Sequence, residues 1–130
     1  MERQETKTII EPYEHDGKKL IRVSCGDFDF GIGLHNLSDR ATWKEALEIA
    51  RKESMEVPSK ETWHIVAAHL DRINEAIKET GGDPLRGFLW SSSEYGGHFA
   101  WLFFATNGSL HYNGKMFVCS VRGSLDFRKQ

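Results

Sequence analysis

Cysteine is nearly missing from this chain. Its 130 residues include two, Cys25 and Cys119, too few for the disulfide framework that holds a small secreted scaffold. They could pair only if early and late strands were neighbours; two reduced, partly buried thiols acting as small hydrophobes are the simpler expectation. No run approaches the ~20 apolar residues of a membrane span, so no membrane insertion is expected. Met1 to Lys7 is polar, with no apolar stretch of a signal peptide behind it. Cytoplasm, a phage particle or export without a cleaved signal fit that start, unless a signal has been removed. A basic stripe is also missing: Lys18-Lys19 and Arg128-Lys129 are isolated pairs, and the formal net charge is -2. That argues against a nucleic-acid partner, which needs clustered cations to displace counterions from phosphate. Internal repeats and low-complexity segments are absent too.

The usual chemical signatures are equally scarce. His64 and His69 are five apart, which turns them ~140° from one another on a helix and prevents shared coordination. There is no His-Glu-x-x-His and no Cys-x-x-Cys. His98 and His111 could meet on adjacent strands, but no third ligand accompanies them, and neither a metal nor a cofactor is expected. Gly31-Ile32-Gly33 lacks the third glycine of a dinucleotide loop. Ser91-Ser92-Ser93 lacks the strained Gly-x-Ser-x-Gly turn of a serine nucleophile, although His98 and Asp83 could lie nearby. Its hydroxyls are expected to cap and bridge backbone groups in a turn leaving the strand at Trp90. No catalytic residue is assigned. An enzyme on this chain would have to centre on His98 and Glu94 in a deep pocket.

What the chain does have is a clear order of elements within one domain of residues 1–130. Residues 1–35 hold the amino-terminal strands: Thr8-Ile9-Ile10, Leu20 to Val23 and Phe28 to Ile32, with an Asp16-Gly17 hairpin between the first two. Asp27 and Asp29, like Glu11 and Glu14, read as solvated strand edges. Thr42-Trp43-Lys44-Glu45 has the spacing of a capping box, and Trp43, Ala46, Leu47 and Ala50 follow at helical intervals. Ser59 caps a second, longer helix whose stripe is Trp63, Val66, Ala67, Leu70, Ile73 and Ile77, and Gly81-Gly82 stops it near Thr80. Strands then resume at Gly87 to Trp90 and Phe99 to Ala105. Asn107-Gly108 and Asn113-Gly114 read as hairpin turns, and Met116 to Arg122 as the closing strand. Strands, two helices and more strands predict an α+β domain.

The residues also carry a resemblance. Trp43 opens the first helix and Pro58-Ser59-Lys60-Glu61 starts the second. Leu89-Trp90-Ser91-Ser92-Ser93-Glu94 follows, then Ala100-Trp101, an Asn-Gly pair ending in Gly108, a lysine and Val121-Arg122. Over roughly residues 42–127 this order resembles bacterial and phage C-type-lectin-like domains. Those are related to the carboxy-terminal domain of a collagen-like adhesin and to the variable-protein cassettes of diversity-generating retroelements. The resemblance implies a C-type-lectin-like fold, with two helices packed on a twisted antiparallel sheet and a ligand-binding face on the last strands and loops. Met55-Glu56-Val57-Pro58 stands where such domains usually have Trp-Arg-Leu-Pro. The Trp-Asn-Asp calcium segment and the paired disulfides of animal lectins are missing, so calcium-dependent sugar binding is not implied.

Within that frame Trp43, Trp63, Trp90 and Trp101 are expected to anchor the core, with Glu94, Gly108 and Arg122 completing the framework. Arg122 is read as forming an ion pair, Glu94 being its expected partner, or as capping carbonyls. Fixed framework residues of this kind bracket diversified positions in retroelement proteins, which suggests Gly96, Gly97, His98, Phe99, Leu102, Phe104, Ser109, Leu110, His111 and Tyr112 for display. If Trp101 and Phe103 face the core, alternation turns Leu102 and Phe104 outward. A strand buried on both faces is the competing reading, and Phe99 leans to the core. The expected ligand-binding set is His98, Leu102, Phe104, Leu110, His111 and Tyr112. It describes a non-catalytic module whose partner is a protein or a surface glycan. A structural, self-assembling component of a phage or cell-surface appendage is the alternative, with a homo-oligomer as its consequence.

Overall fold

The computed structural model describes residues 7–129, so the polar Met1 to Thr6 stretch lies outside the described residues. The described residues form an α+β domain with three helices and seven strands. Strands β1 (Ile9–His15), β2 (Lys18–Cys25) and β3 (Phe28–Ala41) come first. Helices α1 (Trp43–Lys52), α2 (Lys60–Ala68) and α3 (Leu70–Glu79) follow, then β4 (Phe88–Glu94), β5 (Phe99–Phe104), β6 (Ser109–Gly114) and β7 (Cys119–Asp126). A short 3-10 turn, Phe127–Lys129, ends the described chain.

One sheet runs β1-β2-β3-β7-β4-β5-β6. All its pairings are antiparallel except β4 with β7, which run parallel through Leu89↔Ser120. The expectation of a wholly antiparallel sheet is corrected at that join. The last strand returns into the middle of the sheet, between β3 and β4. Cys25 on β2 and Cys119 on β7 are therefore separated by β3, and both thiols are free.

Local chemistry explains most of the boundaries. Asp16 and Gly17 both take positive φ, 49° and 79°, as the tight β1–β2 turn requires. Thr42 accepts from the Glu45 N–H while the Glu45 carboxylate accepts from the Thr42 N–H, so the capping box forms. Ser59 accepts from the Thr62 N–H at the start of α2. Gly82 passes so close to β3 that a Cβ there would lie 2.6 Å from the Leu34 carbonyl oxygen.

The single long helix expected after Ser59 is instead two. His69 leaves helical geometry (φ -130°, ψ 28°) and its N–H turns back to Val66 O at 3.1 Å. The split has a packing reason. α2 lies on β4, β5 and β6, whereas α3 lies on β1 and β2 across the twisted sheet, and one straight rod cannot follow both. Trp63, Val66, Ile73 and Ile77 still face inward and join Ile21, Val23, Phe30, Ile32, Leu89 and Phe103 in the larger core.

α1 covers the opposite face of the sheet, where Ala46, Ala50, Trp90, Ala100, Leu102, Cys119 and Val121 form the second core. β4 thus has α1 on one face and α2 on the other, and the second core extends to Ala100 and Leu102 of β5. Two further turn expectations shift. Asn113 and Gly114 end β6 rather than forming a hairpin, and the closing strand begins at Cys119, leaving Met116, Phe117 and Val118 in an exposed loop.

Candidate binding face

Strand β5 fixes the geometry of the expected binding region. Phe99, Trp101 and Phe103 point toward the α2 side, and Ala100, Leu102 and Phe104 toward the α1 side. Because one hydrophobic core lies on each face, the strand's middle is buried both ways. Phe103 stacks on Trp63 with ring centroids 4.7 Å apart. Leu102 sits in the second core with 1% of its surface exposed. Leu102 is therefore not a display residue, and simple inside-outside alternation fails there for lack of a solvent-facing side.

The first half of the strand's α2-side face escapes this burial. Trp101 is half-buried and pairs across the ladder with Tyr112, which is 50% exposed. Tyr95 stacks on Tyr112 at 4.0 Å and meets the Trp101 ring edge-on at 5.1 Å. Phe99, expected in the core, is 44% exposed and lies edge-on to Tyr112 at 5.9 Å. Four aromatic rings thus form one solvent-facing cluster. Tyr95 had no assigned role in the sequence reading. Its place immediately after Glu94 in the Trp-Ser-Ser-Ser-Glu string was the available signal.

Beside the cluster, between α2 and the outer strands, lies a cavity of about 480 Å³ lined by Phe28, Lys60, Glu61, His64, Ile65, Trp101 and Leu110. Its walls are mainly apolar, and Leu110 contributes from β6. The Lys60 ammonium stands 4.8 Å from the Trp101 ring centroid, a cation-π contact that holds the indole upright. The fourth tryptophan, Trp43, is half-buried rather than core, and its indole N–H donates to Ser91 O at 2.9 Å. Only Trp63 and Trp90 are fully buried anchors, donating to Trp90 O and Ala41 O respectively.

The other expected display residues fall elsewhere. Phe104 and His111 lie on the far face, where Phe104 stacks on Phe88 at 4.4 Å and His111 meets both rings edge-on. His98 is exposed in the turn before β5. It does not meet His111, which pairs with Leu102 further along the ladder. The six-residue set is therefore divided between two faces of the sheet and one turn.

Lys115 organises that turn. Its ammonium donates to Glu94 at 2.6 Å and to Gly97 O at 3.0 Å, and it lies 4.5 Å from the Trp43 ring centroid. Glu94 is accordingly the partner of Lys115 and not of Arg122. Arg122 is 1% exposed and caps carbonyls, donating to Gly33 O, Asp83 O and Asn36 Oδ1. Burial pulls its guanidinium down to about 10, with the Asp83 carboxylate opposing. Asp83 itself sits beside β3, where its N–H donates to Leu34 O at 2.8 Å; its carboxylate accepts from His35 at 2.8 Å, and that bond holds its carboxyl below the usual value. Asp29 is not a simple solvated edge either, since Arg22 grips it with two hydrogen bonds and Ser24 adds a third.

The serine run bridges backbone. Ser91 Oγ donates to Trp101 O at 2.7 Å, and Ser93 Oγ accepts from the Lys60 N–H at 2.9 Å, tying β4 to β5 and to the start of α2. A second groove of about 400 Å³ runs past Leu47, Arg51, Met55, Ser59, Thr62 and Ser124. Neither cavity is lined by Glu94 or His98. Among the described residues no group of three His, Cys, Asp or Glu side chains is placed to hold a metal ion. No helix among them is long and apolar enough to cross a membrane. No family model and no curated protein matches the sequence.

Proposed function

We propose that this chain is a non-catalytic binding module of C-type-lectin-like type, taking a protein or a surface glycan on the outer end of its carboxy-terminal sheet. The observation that carries the reading is the exposed cluster of Tyr95, Phe99, Trp101 and Tyr112 beside the Lys60- and His64-rimmed cavity. Rigid aromatic rings contribute large contact area at little entropic cost, and such rings with a cation at their edge are what hot spots are made of. Relative to the expected set, the binding residues become Tyr95, Phe99, Trp101, Leu110 and Tyr112 with Lys60 and His64. Leu102 drops out because it is buried, Phe104 and His111 because they lie on the far face, and His98 because it stands apart in the turn.

The test is a screen of immobilised oligosaccharides and of a displayed peptide library, followed by affinity measurement on any binder found. Tyr112→Ala and Phe99→Ala are expected to weaken binding at least tenfold, corresponding to about 1.4 kcal/mol or more for each ring. Phe88→Ala on the opposite face should leave it unchanged. A binder indifferent to Tyr112 and Phe99 but lost with Phe88 would overturn the reading.

A further inference from the structure

The two outer strands of the sheet are built in opposite ways. β1 carries Pro12, which has no N–H to offer a neighbour, flanked by Glu11 and with Glu14 nearby. Proline and charge are the usual devices that keep a sheet edge from pairing. β6 has neither. It holds no proline and no lysine, arginine or carboxylate, and its register with β5 is unbroken from Phe99↔Gly114 to Phe104↔Ser109. Its residues 111–113 are exposed.

The phase of the ladder shows which groups are open. In an antiparallel pair, alternate residues exchange N–H and C=O with the partner while the rest turn away. The Lys115 N–H donates to His98 O just beyond the Phe99↔Gly114 pair, and Phe99 O turns the other way to accept from Tyr95. Residues 109, 111 and 113 therefore bond to β5, and the N–H and C=O groups of Leu110 and Tyr112 point out of the sheet. The Gly114 N–H already has its acceptor in Asn113 Oδ1.

We propose that a second copy of this chain pairs along this edge, antiparallel, about a two-fold axis passing between the two His111 residues. In that register Leu110 of each copy exchanges both backbone bonds with Tyr112 of the other, forming four hydrogen bonds and one continuous sheet. Three features select a second copy over an unrelated strand. The edge carries no lysine, arginine or carboxylate, so self-pairing sets none of these against its like. The register sets leucine against tyrosine twice, an aliphatic-aromatic cross-strand pair. It also joins the two aromatic clusters on one face, so Tyr112 loses exposure to a matching apolar surface. The inference stands on the edge and its backbone, independently of what ligand the aromatic face takes.

Sedimentation velocity from low to high micromolar protein, with amide exchange on the same samples, tests it. The wild-type mass is expected to rise from 14.9 kDa toward twice that value. The Leu110 and Tyr112 amides should gain protection with concentration, by roughly tenfold or more. Tyr112→Pro removes an outward N–H without touching the β5 ladder, and His111→Lys sets two ammonium groups directly opposite; both should remain monomeric. A chain monomeric throughout, with the Leu110 and Tyr112 amides exchanging freely, overturns the proposal. So does a dimer that persists in both variants. The exchange measurement on the unmodified chain decides the matter even where Tyr112→Pro fails to fold.

Discussion

Replacing Arg122 with methionine should destabilise the domain by about 3 kcal/mol, from the balance of two opposing effects. The guanidinium donates to Gly33 O at 3.1 Å, Asp83 O at 2.9 Å and Asn36 Oδ1 at 2.9 Å. Asn36 is half-buried and its side chain already reaches Asp39, so its oxygen can turn to water. The two carbonyls belong to fixed backbone, and each left unpaired costs ~1–3 kcal/mol. Against that ~2–6 kcal/mol, the methionine returns roughly 1–2 kcal/mol by burying an apolar side chain and relieving a desolvated charge. With an unfolding entropy of ~2.1 cal/mol/K per residue, a loss of about 3 kcal/mol lowers Tm by roughly 10 °C in a domain of this size. Urea titration followed by tryptophan fluorescence reads the free energy directly. Burial lowers the folded-state pKa of Arg122, a base, to about 10. That opposes folding at every pH below this value and is relieved only above it, so the difference between variant and wild type should be flat from roughly pH 5 to 9. A variant within ~0.5 kcal/mol of wild type would show that the carbonyls find other donors and that the argument from unpaired acceptors is wrong.

Leu102→Ala should cost about 2–5 kcal/mol by urea titration, because the side chain is 1% exposed; a surface-sized change would restore Leu102 to the display set. In native protein a disulfide-exchange reagent should titrate one thiol, Cys25. Cys119 should react only after unfolding, since burial pushes its thiol up to about 12. Two fast thiols in the native state would contradict that packing. The Asp29 carboxyl lies below its usual value chiefly through its hydrogen bond to Arg22. Its stabilising contribution is therefore complete above the ordinary carboxylate pKa of 3.8 and is lost as pH falls through the lowered one. Asp29→Asn should weaken the domain at neutral pH and flatten its acid unfolding curve; an unchanged slope below pH ~4 would exclude Asp29 as a contributor.

Much of the fold was readable because local signals coincide with what tertiary structure needs. Asp16-Gly17, the Thr42–Glu45 box, Ser59 and Gly81-Gly82 each act through backbone geometry within a few residues, and each marks a real boundary. The misses came where distant partners decide. The kink at His69 exists because α2 and α3 must follow different parts of a twisted sheet, and nothing between Ala68 and Leu70 encodes a break. Asn113-Gly114 has turn chemistry, yet β5 runs on to meet both residues. The parallel join of β4 to β7 depends on where the last strand returns, which no local pattern records.

The site was legible only in part, for one physical reason. Period-two reasoning assumes a sheet with one wet face, and the strand it was applied to has a packed core on both sides. Exposure at β5 then follows what packs on each face: on the α2 side Phe99 is exposed, Trp101 half-buried and Phe103 buried under Trp63, while Ala100 and Leu102 on the other side are both buried in the second core. Charge partners follow the same logic of position rather than type. Glu94 and Arg122 looked complementary, but Arg122 sits on the β3 side of β7 among carbonyls, and Lys115, close to Glu94 across the β5–β6 end, takes the carboxylate at 2.6 Å. The framework thus holds the aromatic turn from below through Lys115, Ser91 and Ser93. Tyr95, Phe99 and Tyr112 rest on one another above it. Because those rings pack mutually, substituting one should disturb its neighbours. Binding losses from Tyr95, Phe99 and Tyr112 variants are therefore expected to be non-additive, a coupling that double-mutant cycles measure and that independent contacts would not show.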